Sequence, residues 1–290
     1  MRSGRTAAVG AITFLIVAGA ILQTQLPAIG AGGLLHPART VTPRPTPAGC
    51  TDVTFNGDGV SLRGWRCQTA AGTPRGTIVY LHGIADNRGS ATGVIQRFVA
   101  RGFDVIAYDS RAHGESGGDA CTYGYYEKRD LAKVIDTARV APIILIGTSL
   151  GAAVALQEAA GDRRVADIIA AETFADLRSV ATERAPMVFT RGAINRAFGI
   201  AEREARMRID DVSPERAAER ISARVMLIHG AADVDTLPAH SQRVYEQLRG
   251  EKQLLLVPGA HHNESLNGRT WDAIEQWLDG HLSPTNSATR

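Results

Sequence analysis

Apolar residues along the chain fall into two alternating patterns. Short, almost wholly apolar runs occur at Thr77–Leu81, Phe103–Tyr108, Ile143–Ile146, Ile168–Glu172, Arg224–Ile228 and Lys252–Val257. Ile143–Ile146 suits a strand buried on both faces, as in the middle of a parallel sheet, Thr77–Leu81 is a second buried strand, and the others read as strands. Between them lie segments that read as helices: Thr92–Arg101, Glu127–Arg139, Ala152–Ala160, Pro238–Gly250 and Thr270–Leu282. On the last of these, Trp271, Ile274, Trp277 and Leu278 share one face at helical spacing and are expected in the core. The pattern predicts an α/β fold with a mostly parallel sheet and helices on both faces. Its start differs, because Thr51–Phe55 and Val60–Cys67 flank Asn56-Gly57-Asp58-Gly59, a strong hairpin turn signal.

One stretch breaks the rhythm. Phe174–Ser222 is helical in tendency but interrupted by Pro186, Gly192, Gly199 and Pro214, and is expected to form a short helical cap above the sheet. Phe174, Met187, Val188, Phe189, Ile194 and Phe198 either wall a substrate pocket there or form the cap's own core. The shortness of the cap argues against a deep tunnel for a very long chain.

At the amino end, Arg2 and Arg5 precede an uncharged apolar run from Ala7 to Leu22 that extends as far as Leu26. Positive flank and apolar core make an export signal. Two outcomes are open over residues 1–26: retention as a membrane anchor, or cleavage near Ala28-Ile29-Gly30 and secretion. Residues 27–49 are expected to be a linker, with the proline-rich Thr40–Pro47 extended and unpacked. The folded domain is then expected from Cys50 to Leu282, followed by a frayed tail at 283–290. Folding the first hairpin about Gly57-Asp58 sets Cys50 opposite Cys67, so a disulfide is expected, which fits an oxidising compartment. Cys121 is left as a small packed residue.

Composition adds mainly exclusions. In 290 residues the formal net charge is +2 with both signs interspersed, so no nucleic-acid surface is implied. There is no Cys/His zinc spacing, phosphate loop or dinucleotide glycine fingerprint, and no metal or cofactor is expected.

The chemistry centres on Gly147-Thr148-Ser149-Leu150-Gly151, set between the Ile143–Ile146 strand and the Ala152–Ala160 helix. A sharp strand-to-helix turn lifts the serine off the sheet edge, and small flanking residues let backbone pass close by. The Leu150 N–H, at the helix start, is placed to bind a developing oxyanion. His82-Gly83 ends an earlier strand, where the Ile84 N–H, or failing that Ala85, is expected to be the second donor. His82 is expected to hold its loop by hydrogen bonding. Asp109, Arg111 and His113, in a polar loop after another strand, are read as structural.

Ser149, Asp233 and His262 each follow a predicted strand, and a parallel sheet delivers such loops to one edge. Serine needs a base, histidine serves near neutral pH, and a carboxylate fixes the imidazole tautomer. Asp235 competes with Asp233 as the acid, and His261 with His262 as the base.

With these residues in view, the chain resembles the α/β-hydrolase superfamily, in particular single-domain serine hydrolases of the bem46-like and serine-aminopeptidase-like groups. The resemblance covers Cys50–Leu282 and rests on LHG at Leu81, YDSRAHGESGG from Tyr108, TYGYYEKRDL from Thr122, GTSLG, HGAAD and GAHHNE. It implies that the acid is Asp233, three residues after the His-Gly pair, and that the base is His262, directly before Asn263. One extra residue stands between Asp233 and Pro238, which keeps Asp235 in play. Such relatives commonly carry an amino-terminal membrane anchor. The expected activity is cleavage of small-molecule or lipid-derived carboxylic esters through an acyl-enzyme. A peptidase, thioesterase or acyltransferase would use the same machinery, and a non-catalytic binding protein would be a different use of the fold.

Overall fold

A computed structural model of the chain describes residues 23–41 and 45–280. Its centre is an eight-stranded sheet: β1 (Cys50–Asn56), β2 (Ser61–Cys67), β3 (Thr77–Leu81), β4 (Asp104–Tyr108), β5 (Ile143–Thr148), β6 (Val165–Ala171), β7 (Arg224–Gly230) and β8 (Lys252–Val257). The spatial order is β1-β2-β4-β3-β5-β6-β7-β8; the β1–β2 and β2–β4 pairs are antiparallel and the rest parallel. Period-two alternation sorts each central strand between two cores. In β5, Ile143 and Leu145 face one side and Ile144 and Ile146 the other; in β3, Val79 and Leu81 oppose Ile78 and Tyr80.

Helices cover both faces. Helix α2 (Thr92–Ala100) and helix α9 (Gly268–Asp279) cover one, with Phe98, Ile274 and Leu278 buried and Trp271 and Trp277 packed against them. Helices α3 (Glu127–Ile135), α4 (Leu150–Ala159) and α8 (Pro238–Gln247) cover the other through Leu131, Val134, Leu156 and Val244.

The register pairs Cys50 directly with Cys67, and the two form a disulfide. Closing a 17-residue separation is worth about 3 kcal/mol in the chain-entropy description. Cys121 is buried and free, and burial raises its thiol well above the ordinary value.

The amino-terminal boundary differs from expectation. Residues 23–35 are helical (α1), and Leu26, Ala31 and Leu35 are buried, the last two in the same core as α4. The Cys121 N–H donates to the Leu35 carbonyl and the Tyr123 hydroxyl to that of Leu34. Residues 27–49 are therefore no free linker. Arg39 donates to the Ser116 and Gly118 carbonyls, the Thr40 hydroxyl to Ala85 O, and Asn87 Nδ2 to Thr40 O, so the segment after α1 is strapped to the domain. Among the described residues no helix is long and apolar enough to cross a membrane. The apolar run Ala7–Leu22 and the tail at 283–290 lie outside the described residues.

The expected cap at 174–222 divides. Helices α5 (Leu177–Glu183) and α6 (Arg191–Ala205) stand beside α1, whereas α7 (Pro214–Ala218) packs on α4 and α8 against the sheet.

Candidate active site

Ser149 sits on the turn from β5 to α4 with φ 49° and ψ −110°. This strained backbone persists because its surroundings leave no alternative. Its N–H donates to Ala171 O at 2.8 Å, and the glycines two residues to either side allow the close approach. A Cβ on Gly147 would stand 2.5 Å from the Gly151 carbonyl, and one on Gly151 2.2 Å from Leu81 O. Leu150 is the first residue of α4, where a helix leaves its N–H without an intrahelical acceptor. Gly83 packs beside Ser149, and Ile84 lines the same cleft.

The loops after β7 and β8 cross in contact. A Cβ on Gly230 would meet Ala260 O at 2.4 Å, and the Ala232 N–H donates to that carbonyl at 3.0 Å. The crossing brings Asp233 to His262. His262 Nδ1 lies 2.7 Å from Asp233 Oδ2, and His262 Nε2 lies 3.1 Å from Ser149 Oγ. A carboxylate only accepts, so Nδ1 carries the hydrogen and Nε2 is left to accept from the serine hydroxyl. Burial alone would push the Asp233 carboxyl up. The Thr236 N–H, the His262 ring and the Asp235 N–H outweigh it and hold the group below the ordinary aspartate value.

Of the two competing pairs, Asp233 and His262 are the members that lie in this chain of contacts. Asp235 and His261 are exposed, and Asp235 meets Asp233 through its backbone N–H. His229 supports the acid from below: fully buried, it accepts the Ser241 hydroxyl at Nδ1, and its Nε2–H donates to Thr236 O with Asp233 Oδ2 at 3.2 Å.

Sequence reasoning missed Glu172. It directly follows β6 at φ 58°, is buried, and accepts the Asn263 N–H at 2.6 Å and the Ser265 N–H at 3.1 Å. Its Oε2 lies 3.7 Å from His262 Nδ1. The carboxylate thus pins the loop carrying the imidazole. The available signal was an acid at the carboxyl end of the strand after the serine strand. The ligand atoms of Glu172, Asp233 and His262 cluster within 4.8 Å, but their hydrogen bonds to one another, to Ser149 and to backbone N–H groups already use those atoms.

The polar loop is structural, as expected. Asp109 accepts the Arg88 N–H at 2.6 Å and the Glu115 N–H at 2.9 Å, and pairs with the Arg88 guanidinium; Arg111 pairs with Asp130. His82 Nδ1–H donates to Gly83 O at 2.7 Å while Nε2 accepts the Ser110 N–H at 2.9 Å, which ties the Ile84 loop to the Asp109 loop. Burial, helped by the adjacent His82 ring, lowers His113 from 6.5 to about 4. The unfolded chain therefore takes up this proton first, and stability falls as pH drops from 6.5 towards 4. At the lower end the loss is about 3 kcal/mol. His113→Asn, which keeps a donor for Arg111 O, should melt earlier at pH 7 yet show a flatter Tm between pH 7 and 4.5. Parallel curves for the two proteins would acquit His113.

The cleft above Ser149 has a volume of about 680 Å³ and is lined by Ile84, Glu172, Asp235, His262 and Trp271 among others. Of the four residues expected to wall a substrate pocket, Phe189 and Phe198 line a neighbouring apolar cavity. Met187 does not, being fully exposed, because it lies on the turn between α5 and α6 that points to solvent. Phe174 is buried edge-on against Tyr123 and walls neither cavity.

A family model described as serine aminopeptidase, S33, matches residues 72–198. A Bacillus subtilis protein, YqkD, is 30% identical over 226 residues, covering 70% of this chain and 71% of its own length. The chain belongs to the α/β-hydrolase superfamily. This hydrolase is also 25% identical over 261 residues to a monoacylglycerol lipase of Mycolicibacterium smegmatis, covering 72% of this chain and 90% of the lipase. Its fold matches the Pyrococcus furiosus esterase Pf2001 with a TM-score of 0.68 at 21% identity, over 85% of this chain and 99% of the esterase.

Proposed function

We propose that this hydrolase is an exported serine esterase that cleaves carboxylic esters of small molecules or lipids through an acyl-enzyme. The observation carrying the reading is the unbroken hydrogen-bond chain Ser149–His262–Asp233 at the floor of an open cleft beside an apolar cavity. Ser149 Oγ attacks the ester carbonyl carbon as its proton passes to His262 Nε2. The new oxyanion is held by the Leu150 and Ile84 N–H groups, and Asp233 stabilises the imidazolium. His262 then returns the proton to the departing alkoxide, the C–O bond breaks, and the acyl group stays on Ser149. Water attacks that acyl-enzyme by the same route: His262 takes its proton, the acid leaves, and the serine is reprotonated.

The likeness to a monoacylglycerol lipase and the cavity's apolar walls favour an ester over a peptide. Export rests on the Cys50–Cys67 disulfide, which persists in oxidising compartments, and on the charged flank and apolar run at the amino end. The domain then lies outside the cytoplasm, anchored through the apolar run Ala7–Leu22 ahead of α1 or secreted after its removal. A panel of aryl esters beside an aminoacyl aryl amide tests the reading. The esters should be turned over with kcat/KM at least tenfold above the amide. The reverse order would make the protein a peptidase, and no turnover of either would leave a binding protein on this fold.

A further inference from the structure

Beside the Ser149 cleft lies a second cavity of about 450 Å³, and Ile84 and Arg184 stand in the walls of both. One side is built by Val180 and Ala181 of α5 with Phe189 and Phe198; the other by Gly30 and Gly33 of α1. Helix α1 is a fixed part of this wall, anchored by Leu26, Ala31 and Leu35 and by the hydrogen bonds from Cys121 and Tyr123. Gln23 Nε2 also donates to Val188 O, linking α1 across to the α5–α6 turn. The glycines set the width. A Cβ on Gly30 would stand 2.9 Å from the Phe189 ring, while one on Gly33 would meet nothing within 4 Å.

We propose that this cavity receives the acyl chain of a medium-chain ester and that α1 is its outer wall, so that the amino-terminal helix sets chain-length selectivity. The inference rests on Ser149 as the nucleophile and names its substrate class. With the carbonyl oxygen on the Ile84 N–H, a chain leaving the carbonyl carbon runs past the Ile84 side chain into the apolar space. The one charged residue at the boundary is turned away: Arg184 Nε and Nη2 donate to Asp235 O and Thr236 Oγ1, both at 2.6 Å, which leaves its aliphatic stem to the cavity. The volume lies in the lower half of the range of about 300–1,000 Å³ for small-molecule sites, which suits one chain of moderate length rather than two.

The test uses the full chain and p-nitrophenyl esters from acetyl to hexadecanoyl. Each methylene buried in the transition state is worth up to about fourfold, so kcat/KM should rise at least tenfold from acetyl to octanoyl. Gly33→Leu on α1 and Ala181→Phe on α5 should each cut the octanoyl-to-acetyl ratio tenfold or more, and Phe189→Ala should move the optimum to longer chains. A readout independent of chemistry is decanoate binding to the Ser149→Ala protein, which Gly33→Leu should weaken at least tenfold. Ratios and decanoate affinity untouched by all three substitutions would overturn the acyl site, even with Ser149-dependent acetyl turnover intact. Decanoate binding that Gly33→Leu weakens, without ester turnover, would support the chain site and sink the esterase reading alone.

Discussion

Ser149→Ala is expected to lower kcat on an aryl ester by a factor on the order of 10⁴ or more, with the melting temperature nearly unchanged. The size follows from what is removed. In the proposed mechanism the hydroxyl is the atom that bonds to the acyl carbon, and His262 Nε2, 3.1 Å away, is its proton acceptor. Without it, His262 can at best assist a water, while the oxyanion donors still lower the barrier somewhat. Stability should hold because alanine meets the same backbone demand at φ 49° and the Ser149 N–H still reaches Ala171 O. A paired assay of kcat and thermal unfolding checks both halves. Retained turnover in a folded Ser149→Ala protein would remove Ser149 from the mechanism. A fluorophosphonate, which phosphonylates reactive serines with loss of fluoride, should modify the wild type once, on the peptide containing Ser149.

Much of this arrangement was legible before any coordinates. The strand β3 falls where its apolar run begins and ends, since a strand buried on both faces leaves no ambiguity of period; β8 also keeps its expected bounds, although as an edge strand it is only half-buried. The turn at Ser149 was legible because only glycines fit where Gly147 and Gly151 meet neighbouring backbone. Helix α1 was hidden. Gly30, Gly32 and Gly33 lower helix propensity, and the Pro-rich stretch that follows suggests open chain. Burial of Leu26, Ala31 and Leu35 overrides that local preference, and tertiary contacts of this kind leave no trace in a window of sequence. Met187 failed for a related reason: an apolar residue in a cap says nothing about which way a turn faces. Glu172 showed only as an acid at a strand end, and its role stayed hidden because its partners, Asn263 and Ser265, lie more than ninety residues away.

The acid presents the sharper contrast. Asp233→Asn should reduce kcat by about 10⁴, whereas Asp235→Asn should cost at least an order of magnitude less. An amide at position 233 offers His262 Nδ1 a carbonyl or an NH₂ group in place of an acceptor-only carboxylate, so the tautomer that leaves Nε2 free is no longer enforced. The imidazolium formed during attack also loses the charge that balances it. Asp235 makes no such contact; it is exposed, and its carbonyl serves Arg184. Glu172 shapes what remains in Asp233→Asn. Its Oε2, 3.7 Å from Nδ1, is the nearest other carboxylate, but it is committed to the Asn263 and Ser265 N–H groups. Glu172→Gln alone should therefore act by loosening the His262 loop, with a loss between those of the two aspartates, and should deepen the defect when combined with Asp233→Asn. Single-turnover rates of acylation measured on all four proteins separate these roles. A greater loss in Asp235→Asn than in Asp233→Asn would move the acid two residues along the chain.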